Sequence, residues 1–501
     1  MEINCNPLSV ILFIKEQLEI LDDEQLPIVK TIPDGMLRIR GIAGTGKTIL
    51  FAKLIAKIHQ VHPDWKIAFI FFTQSLYNQI ESLIRKEVIK KTDEEPDWNQ
   101  IEVLHAWGQK EKEGDYLFSK RDGFYRNLAI KCGKKPLSSS EAERELQHLK
   151  RYISPTEKFE YICDRLEKEV TEIPTLYDVI LIDEGQDLPF SFYRLAWKTL
   201  SEPKRLYWAY DEAQNISSLT VPKNTDIFGN NIGKFNARIL NACYRTPRLL
   251  LMVAHAINMG LLRQEGPLQG VTTEKDWNDL GYEILEGDFS DFSVKAKNLV
   301  KIARCDRSSP HPIDKHPDLA EASGDLLVLE TCSDETQEIE WIADAVAQDI
   351  ADGLDPNYII ITAIRSSGEG NYFLAIKNAL IRRGVDSLIA GIDESADTFW
   401  KPGYVTIASI YRVKGNEAYK VYVARFHCIT SPEMKPEDEL RKRNEAFVAL
   451  SRSRIWCTIT GMENPIFDEL RKAKEQYPHL IFPAFNQKSL KKVNSARIDE
   501  S

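Results

Sequence analysis

Residues 41 to 48 read Gly-Ile-Ala-Gly-Thr-Gly-Lys-Thr and form a complete G-x-x-x-x-G-K-[ST] phosphate loop. Residues 36–40 before the loop have the pattern of a short strand, and apolar residues from Ile49 onward repeat at helical spacing. The glycines let the backbone turn so that its N–H groups point at phosphate oxygens, and the helix offers its positive end. Lys47 can reach the β- and γ-phosphates, and Thr48 can ligate Mg²⁺. The stretch therefore predicts a nucleoside triphosphate site on an α/β fold.

The 501 residues are enough for roughly two to four domains. Hydrophobic content of 43% and charged content of 28% are typical of soluble globular proteins. No apolar run approaches the length of a bilayer span, and the N-terminus lacks the pattern of a signal peptide, so we expect a cytoplasmic protein without a membrane partner. The formal net charge of −10 argues against wholesale adhesion to nucleic acid but leaves room for a local basic channel.

The eight cysteines are scattered singly, without a C-x-x-C pair or a histidine at ligand spacing. This pattern favours reduced structural thiols over disulfides or a zinc site.

A second half of the nucleotide site is predicted where the apolar stretch Tyr177–Ile182 ends in Asp183 and Glu184. One such carboxylate can hold Mg²⁺, and the other can activate the attacking water. Asp183 lies too far along the chain from Lys47 for one βαβ unit, which indicates that a subdomain is inserted between them.

Helical and strand-like patterns alternate along most of the chain, which predicts parallel sheets. From about 107 to 171 charges crowd, and Ser138-Ser139-Ser140-Glu141 resembles a helix cap, so a helical insertion is expected there. The segment 264–324 is poorly periodic; we predict loops with one strand at Tyr282–Leu285 and one helix at Ser293–Ala303. A second α/β region extends from about Leu326 to Ile481.

Further short motifs follow in a fixed order. Asp183–Asp187 reads Asp-Glu-Gly-Gln-Asp, residues 241–245 read Asn-Ala-Cys-Tyr-Arg, Ser409–Ala418 contains Lys-Gly-Asn-Glu, and residues 443–454 end in Ala-Leu-Ser-Arg-Ser-Arg. Their order resembles that of superfamily 1 helicases, in particular the UvrD/Rep-like group that moves 3′ to 5′ along single strands. The resemblance covers roughly residues 18 to 482.

The resemblance implies two RecA-like P-loop NTPase domains that bind ATP and Mg²⁺ in the cleft between them and close on ATP. The implied catalytic residues are Lys47, Glu184, Gln214, Arg245 and Arg452, with Glu184 as the base and the arginines on the γ-phosphate. Thr48 and Asp183 would hold the metal. The implied nucleotide contacts are Gln25, Gly41, Ala43, Gly44, Thr45, Gly46, Lys47, Thr48, Ile49, Tyr244, Gly415 and Glu417.

Contacts to nucleic acid are implied for Phe72, Thr73, His105, Trp107, Ser409, Tyr411 and Arg412. A packing role for Trp107 is equally well supported, because aromatic residues more often fill cores than stack on bases. The chain departs from the family at Ile49, where many relatives have an arginine, at Ser409 and Tyr411, which replace threonine and histidine, and at Ser217–Leu219, where the usual base-stacking aromatic is absent.

The implied domains are a first RecA-like domain at 1–106 and 171–236, a helical insertion at 107–170, a second RecA-like domain at 237–482 and a polar tail at 483–501. Only a short link joins Ile389 to Val405, where full-length relatives carry a large insertion. Three functions stay open. The first is an ATP-dependent translocase or helicase on single-stranded DNA. The second is a nucleic-acid-stimulated regulatory ATPase in a nuclease-linked bacterial repair or anti-phage complex, and the third is an RNA helicase.

Overall fold

A computed structural model describes residues 6–24, 31–108, 123–147, 155–211, 227–228, 235–289, 298–394, 398–486 and 490. The chain divides into two units. The first-sheet unit takes in residues 25–41 and 47–239, and the second-sheet unit takes in residues 1–24, 42–46 and 240–494. The first helix, α1 (Pro7–Glu24), belongs to the second-sheet unit.

The first-sheet unit is built on a six-stranded sheet of order β3-β2-β4-β5-β1-β6. Its strands are β1 (Met36–Gly41), β2 (Ile67–Phe71), β3 (Ile101–His105), β4 (Tyr177–Ile182), β5 (Leu200–Tyr210) and β6 (Phe235–Leu240). Its helices are α2 (Lys47–Val61), α3 (Tyr77–Thr92), α4 (Phe124–Lys131), α5 (Ser139–Leu146), α6 (Pro155–Glu169) and α7 (Phe190–Lys198). Strands β1 to β5 pair in parallel, as the buried apolar runs predict.

The predicted helical insertion is confirmed by α4, α5 and α6. Phe124 and Leu128 of α4 and Phe159 of α6 are buried in one core with residues of β4 and α7. Helix α5 begins with the predicted cap: Ser138 Oγ accepts the Glu141 N–H, and the Glu141 carboxylate accepts the Ser138 N–H. The insertion is therefore packed onto the sheet by its apolar side chains.

The second-sheet unit holds a six-stranded sheet of order β11-β12-β10-β13-β14-β9 and a three-stranded sheet of order β15-β8-β7. Its strands are β7 (Tyr282–Glu286), β8 (Leu299–Arg304), β9 (Leu327–Cys332), β10 (Ile359–Ala363), β11 (Ser387–Ile389), β12 (Val405–Ile407), β13 (Ala418–Ala424), β14 (Ser453–Met462) and β15 (His479–Pro483). Its remaining helices are α8 (Arg248–Met259), α9 (Glu274–Asp279), α10 (Pro312–Lys315), α11 (Pro317–Ser323), α12 (Glu335–Ala351), α13 (Glu369–Arg382), α14 (Ile410–Val413), α15 (Pro436–Leu450) and α16 (Pro465–Gln476).

The six strands of the larger sheet pair in parallel throughout. Two parallel sheets with packed helices establish the predicted α/β class and are consistent with two RecA-like domains. The described helices include none that is long and apolar enough to cross a membrane.

Helix α1 differs from its predicted place in a first domain spanning 1–106. Its apolar face, Val10, Ile11, Ile14 and Leu18, lies in the same core as the strands β10, β12 and β13 of the second-sheet unit. Lys15 Nζ donates to Tyr358 Oη at 2.6 Å. The position of α1 in the sequence predicts packing on the first sheet, which follows it directly in the chain. The helix packs instead on the second-sheet unit, where its apolar face is buried.

The helix predicted at Ser293–Ala303 is wrong over its described part, because residues 299–304 form β8. Val300 and Ile302 are buried while Leu299 is exposed, which is the two-residue alternation of a strand. The strand is fixed by antiparallel pairing with the distant strand β15, in which Val300 lies opposite Phe482. The predicted strand at Tyr282–Leu285 is confirmed as β7.

Candidate nucleotide site

The phosphate loop lies between β1 and α2, as predicted. Gly44 and Gly46 have φ of 71° and 77°, in the left-handed region that glycine tolerates best. Lys47 begins α2, and its Nζ donates to the Gly41 carbonyl at 2.9 Å. Thr45 Oγ1 donates to the Ile42 carbonyl at 3.0 Å. Side chains of the loop therefore hydrogen-bond to its own backbone carbonyls. Ala43 and Ile49, two further predicted nucleotide contacts, are buried.

Thr48 and Asp183 meet within the first-sheet unit. Thr48 Oγ1 donates to Asp183 Oδ2 at 2.5 Å, and Asp183 Oδ1 accepts the Glu184 N–H at 3.0 Å. Burial and the neighbouring Glu184 raise the pKa of the Asp183 carboxyl to about 6, against the opposing effects of Thr48 and Lys47. A hydroxyl and a carboxylate at this separation are the hard oxygen ligands that Mg²⁺ prefers, so the pair fits the metal that the sequence implies.

Glu184 is held in an uncommon conformation directly after β4. Its φ of 51° is left-handed, and its carboxylate accepts from Gln186 Nε2 at 2.5 Å. Gln186 Oε1 in turn accepts the Asp211 N–H at 3.1 Å. Gly185 follows Glu184 and packs against α7. An added Cβ at Gly185 would come within 2.3 Å of Tyr193 Oη, so a side chain at this position would displace Tyr193.

Gln186 belongs to the Asp183–Asp187 motif but is not among the predicted site residues. It is almost fully buried and joins Glu184 to the end of β5. The signal was its place two residues after Glu184 in the Asp183–Asp187 box.

In the second-sheet unit, Glu417 lies between two arginines. Arg245 Nη1 contacts both Glu417 carboxylate oxygens at 3.3 Å. Arg454 approaches Oε2 more closely, through Nη2 at 2.9 Å and Nε at 3.0 Å. Burial alone would raise the pKa of the Glu417 carboxyl, but the charges of Arg245, Arg454 and Arg452 lower it to about 2. Arg245 and Glu417 are predicted site residues, whereas Arg454 is not, although it lies in the motif at residues 443–454, two residues after Arg452.

Arg452 follows the last turn of α15. Its Nε donates to the Val448 carbonyl and its Nη2 to Ser451 Oγ, both at 3.0 Å. Tyr244 is partly buried against the core of the second-sheet unit, and Gly415 has a φ of 85° before Glu417. The second-sheet unit therefore brings Arg245, Arg452 and Glu417 into one charged cluster.

Three of the predicted nucleic-acid contacts pack together in the first-sheet unit. The rings of Phe72 and His105 stack at 5.7 Å, and Trp107 stacks on Phe159 at 5.2 Å. His105 Nδ1 accepts the Trp107 N–H at 3.2 Å while Nε2 faces the Phe72 carbonyl at 2.6 Å, an arrangement that suits a neutral ring protonated at Nε2. Burial lowers the pKa of His105 to about 4. Thr73 directly follows Phe72 after the end of β2.

The other predicted nucleic-acid contacts lie around α14. Ser409 precedes this helix, and Tyr411 on it is 41% exposed, so its ring is accessible. Arg365 Nη1 donates to Tyr411 Oη at 2.7 Å. Arg412 lies against Gly391, where an added Cβ would come within 2.1 Å of its guanidinium carbon. Gln25 and Gln214 lie outside the described residues.

Comparison with known proteins finds a family model that matches part of the chain. Residues 17–207 match the family described as type III restriction enzyme, res subunit, and this region includes the phosphate loop and the Asp183–Asp187 box. Among solved structures, the C-terminal domain of a possible DNA helicase from Lactobacillus plantarum WCFS1 matches at 17% identity and a TM-score of 0.23, over 30% of this chain and 84% of that one. The curated proteins give no match. Over residues 17–207 the chain is thus similar to a helicase-like P-loop family.

Proposed function

We propose that this chain is an ATPase that couples hydrolysis to movement along single-stranded DNA in the 3′ to 5′ direction, with or without duplex unwinding. The proposal is supported by the phosphate loop beside Asp183 and Glu184, by the Arg245, Arg452 and Glu417 cluster, and by the helicase-like family match. Direction and strand type come from the motif order alone.

The residues suggest a division of labour in hydrolysis. Lys47 would neutralise phosphate charge, and Glu184, oriented by Gln186, would take the proton of the attacking water. Arg245 and Arg452 would stabilise charge on the transferred phosphoryl group, since planar guanidinium groups match phosphate oxygens. Thr48 and Asp183 would hold Mg²⁺, which supplies further neutralisation of phosphate charge when bound.

The contact that carries this proposal is the 2.5 Å bond between Thr48 and Asp183, because it unites two motifs far apart in sequence into one oxygen-rich site. The test is ATP hydrolysis with and without single-stranded DNA or RNA, together with unwinding of tailed duplexes of both polarities. Hydrolysis stimulated by DNA supports the proposal. Robust hydrolysis that is indifferent to every nucleic acid contradicts it.

Substitutions assign the roles. Lys47→Ala and Glu184→Gln are expected to abolish turnover, and full activity of Glu184→Gln would refute Glu184 as the base. Arg452→Ala is expected to retain ATP binding but stop hydrolysis. Loss of binding and hydrolysis together would instead indicate a folding role, in keeping with the bond from Arg452 to the Val448 carbonyl.

The second candidate is a regulatory ATPase subunit of a nuclease-linked repair or defence complex. The matched family is described as a restriction enzyme subunit, and only a short link joins Ile389 to Val405. Strand-stimulated hydrolysis without unwinding by the isolated chain favours this candidate, while unaided unwinding favours the first. Stimulation by RNA alone would favour an RNA helicase.

A further inference from the structure

Arg454 is fixed on several sides. Besides its two contacts to Glu417 Oε2, its Nη1 donates to Tyr419 Oη at 3.4 Å, and its guanidinium lies 5.5 Å from the centre of the Tyr419 ring. Its backbone carbonyl accepts from His311 Nε2 at 3.0 Å. Arg454 is also the second residue of β14, whose pairing with β13 begins at Ser453. These contacts leave the side chain little freedom to move.

Arg245 is attached to the same carboxylate more loosely. One of its nitrogens, Nη1, contacts the two Glu417 oxygens at 3.3 Å, whereas Arg454 uses two nitrogens at 2.9 and 3.0 Å. Arg245 lies in the loop between β6 and α8 and not within a strand or helix. Of the two arginines, it is the one whose contact is easier to break.

Glu417 needs one arginine at all times. Its side chain is only 11% exposed, and a buried carboxylate left without a cation costs several kcal/mol. If Arg454 stays in place, Arg245 can leave and the Glu417 carboxylate still has a cation in contact with it, so the energy of an uncompensated buried charge is avoided. If Arg454 is removed, Arg245 is the one of these two arginines that still contacts the Glu417 carboxylate, and its contact becomes costlier to break.

We infer that Arg454 is a positioning residue that releases Arg245 from Glu417 to the terminal phosphate of a bound nucleoside triphosphate. This inference rests on the proposed function, in which Arg245 contacts the γ-phosphate. Arg454 itself touches no nucleotide in this scheme. Arg454 thereby controls the ratio of the affinities for ATP and ADP, because only ATP has the γ-phosphate that the Arg245 side chain contacts after it leaves Glu417.

The experiment compares the affinities of the full chain for ADP and for a non-hydrolysable ATP analogue with an imido bridge, by titration calorimetry with Mg²⁺. Arg454→Met is expected to lower the preference for the ATP analogue over ADP by about tenfold, because Glu417 then holds Arg245. Adding Glu417→Gln removes the carboxylate and should restore most of the preference, even where both nucleotides bind more weakly. Arg471→Met is the matched control, since Arg471 forms an exposed ion pair with Glu463.

Thermal unfolding identifies variants that fail to fold. If Arg454→Met does not fold, Arg454→Gln replaces it, since glutamine keeps donors toward Glu417 but no charge, and the same loss and rescue are expected. An unchanged preference in the folded variant, or a loss that Glu417→Gln does not rescue, overturns the inference. Failure of the wild-type chain to bind either nucleotide would instead refute the proposed function.

Discussion

Gln186→Leu removes the amide that links Glu184 to the end of β5. Two hydrogen bonds are lost, one to the Glu184 carboxylate at 2.5 Å and one from the Asp211 N–H at 3.1 Å. A hydrogen bond to a charged group contributes about 1.5–3 kcal/mol, and a hydrogen bond between neutral groups contributes about 0.5–1.5 kcal/mol. Since leucine recovers part of this by burial, we expect the free energy of unfolding of the first-sheet unit to fall by about 3 kcal/mol.

The catalytic effect should exceed the effect on nucleotide binding. The side chain of Gln186 bonds to Glu184 and to the Asp211 N–H, so we expect the dissociation constant for ATP to change little. Glu184 loses the hydrogen bond from the Gln186 amide, and kcat for ATP hydrolysis is expected to fall by about 10–100-fold. Steady-state hydrolysis and calorimetric ATP binding on the same preparation separate the two effects.

Gln60→Leu provides the control, because Gln60 is exposed on α2 and donates to the Lys91 carbonyl at 3.2 Å. This variant should keep both stability and kcat. A Gln186→Leu protein with wild-type kcat would refute the view that Gln186 orients the base. A fall in ATP affinity as large as the fall in kcat would point to general disruption of the site.

Three further results are expected. Because burial raises the pKa of Asp183 from its ordinary 3.8 to about 6, the folded state holds this proton more tightly than the unfolded chain. Without divalent ions, the contribution of Asp183 to the free energy of unfolding should be greatest below about pH 4 and be lost as pH rises to about 6, and urea unfolding of Asp183→Asn should lack this part of the pH dependence. Ile14→Ala should lower the free energy of unfolding of the second-sheet unit by about 2–5 kcal/mol. Leu12 lies on the same helix with its side chain 55% exposed, so Leu12→Ala should change this free energy by less than about 0.5 kcal/mol. Equal effects of the two substitutions would contradict the packing of α1. Tyr411→Ala should weaken single-strand binding by about 1–3 kcal/mol in fluorescence anisotropy, whereas Trp107→Ala should chiefly lower the free energy of unfolding, by about 3 kcal/mol. If instead Trp107→Ala weakens strand binding and Tyr411→Ala does not, Trp107 is the strand contact.

Much of the first-sheet unit follows from local pattern. The strand at Tyr177–Ile182 has the predicted limits, and the phosphate loop lies between a strand and a helix as expected. Long apolar runs and glycine-rich turns determine these features within a few residues of chain. The predicted cap at Ser138 is equally local.

The misses depend on distant partners. Residues 299–304 carry a pattern compatible with a helix, but pairing with β15 makes them a strand. Arg454 acquires its role from Glu417, which lies on the other side of α15 in sequence, and nothing local distinguishes it from a surface arginine. Gln25 and Gln214 stay predictions, as do the nucleic-acid contacts assigned by resemblance.

The packing of α1 has a practical consequence for dividing the protein. An expressed fragment that begins at residue 240 would lack Val10, Ile11 and Ile14, and would present to water the apolar surface that these side chains cover. A soluble version of this half requires a permuted gene in which residues 6–24 are joined to the remainder through a designed linker, or the same helix supplied as a separate peptide. If the peptide restores the folded fragment, the affinity of α1 for the rest of the second-sheet unit can be measured directly by titration.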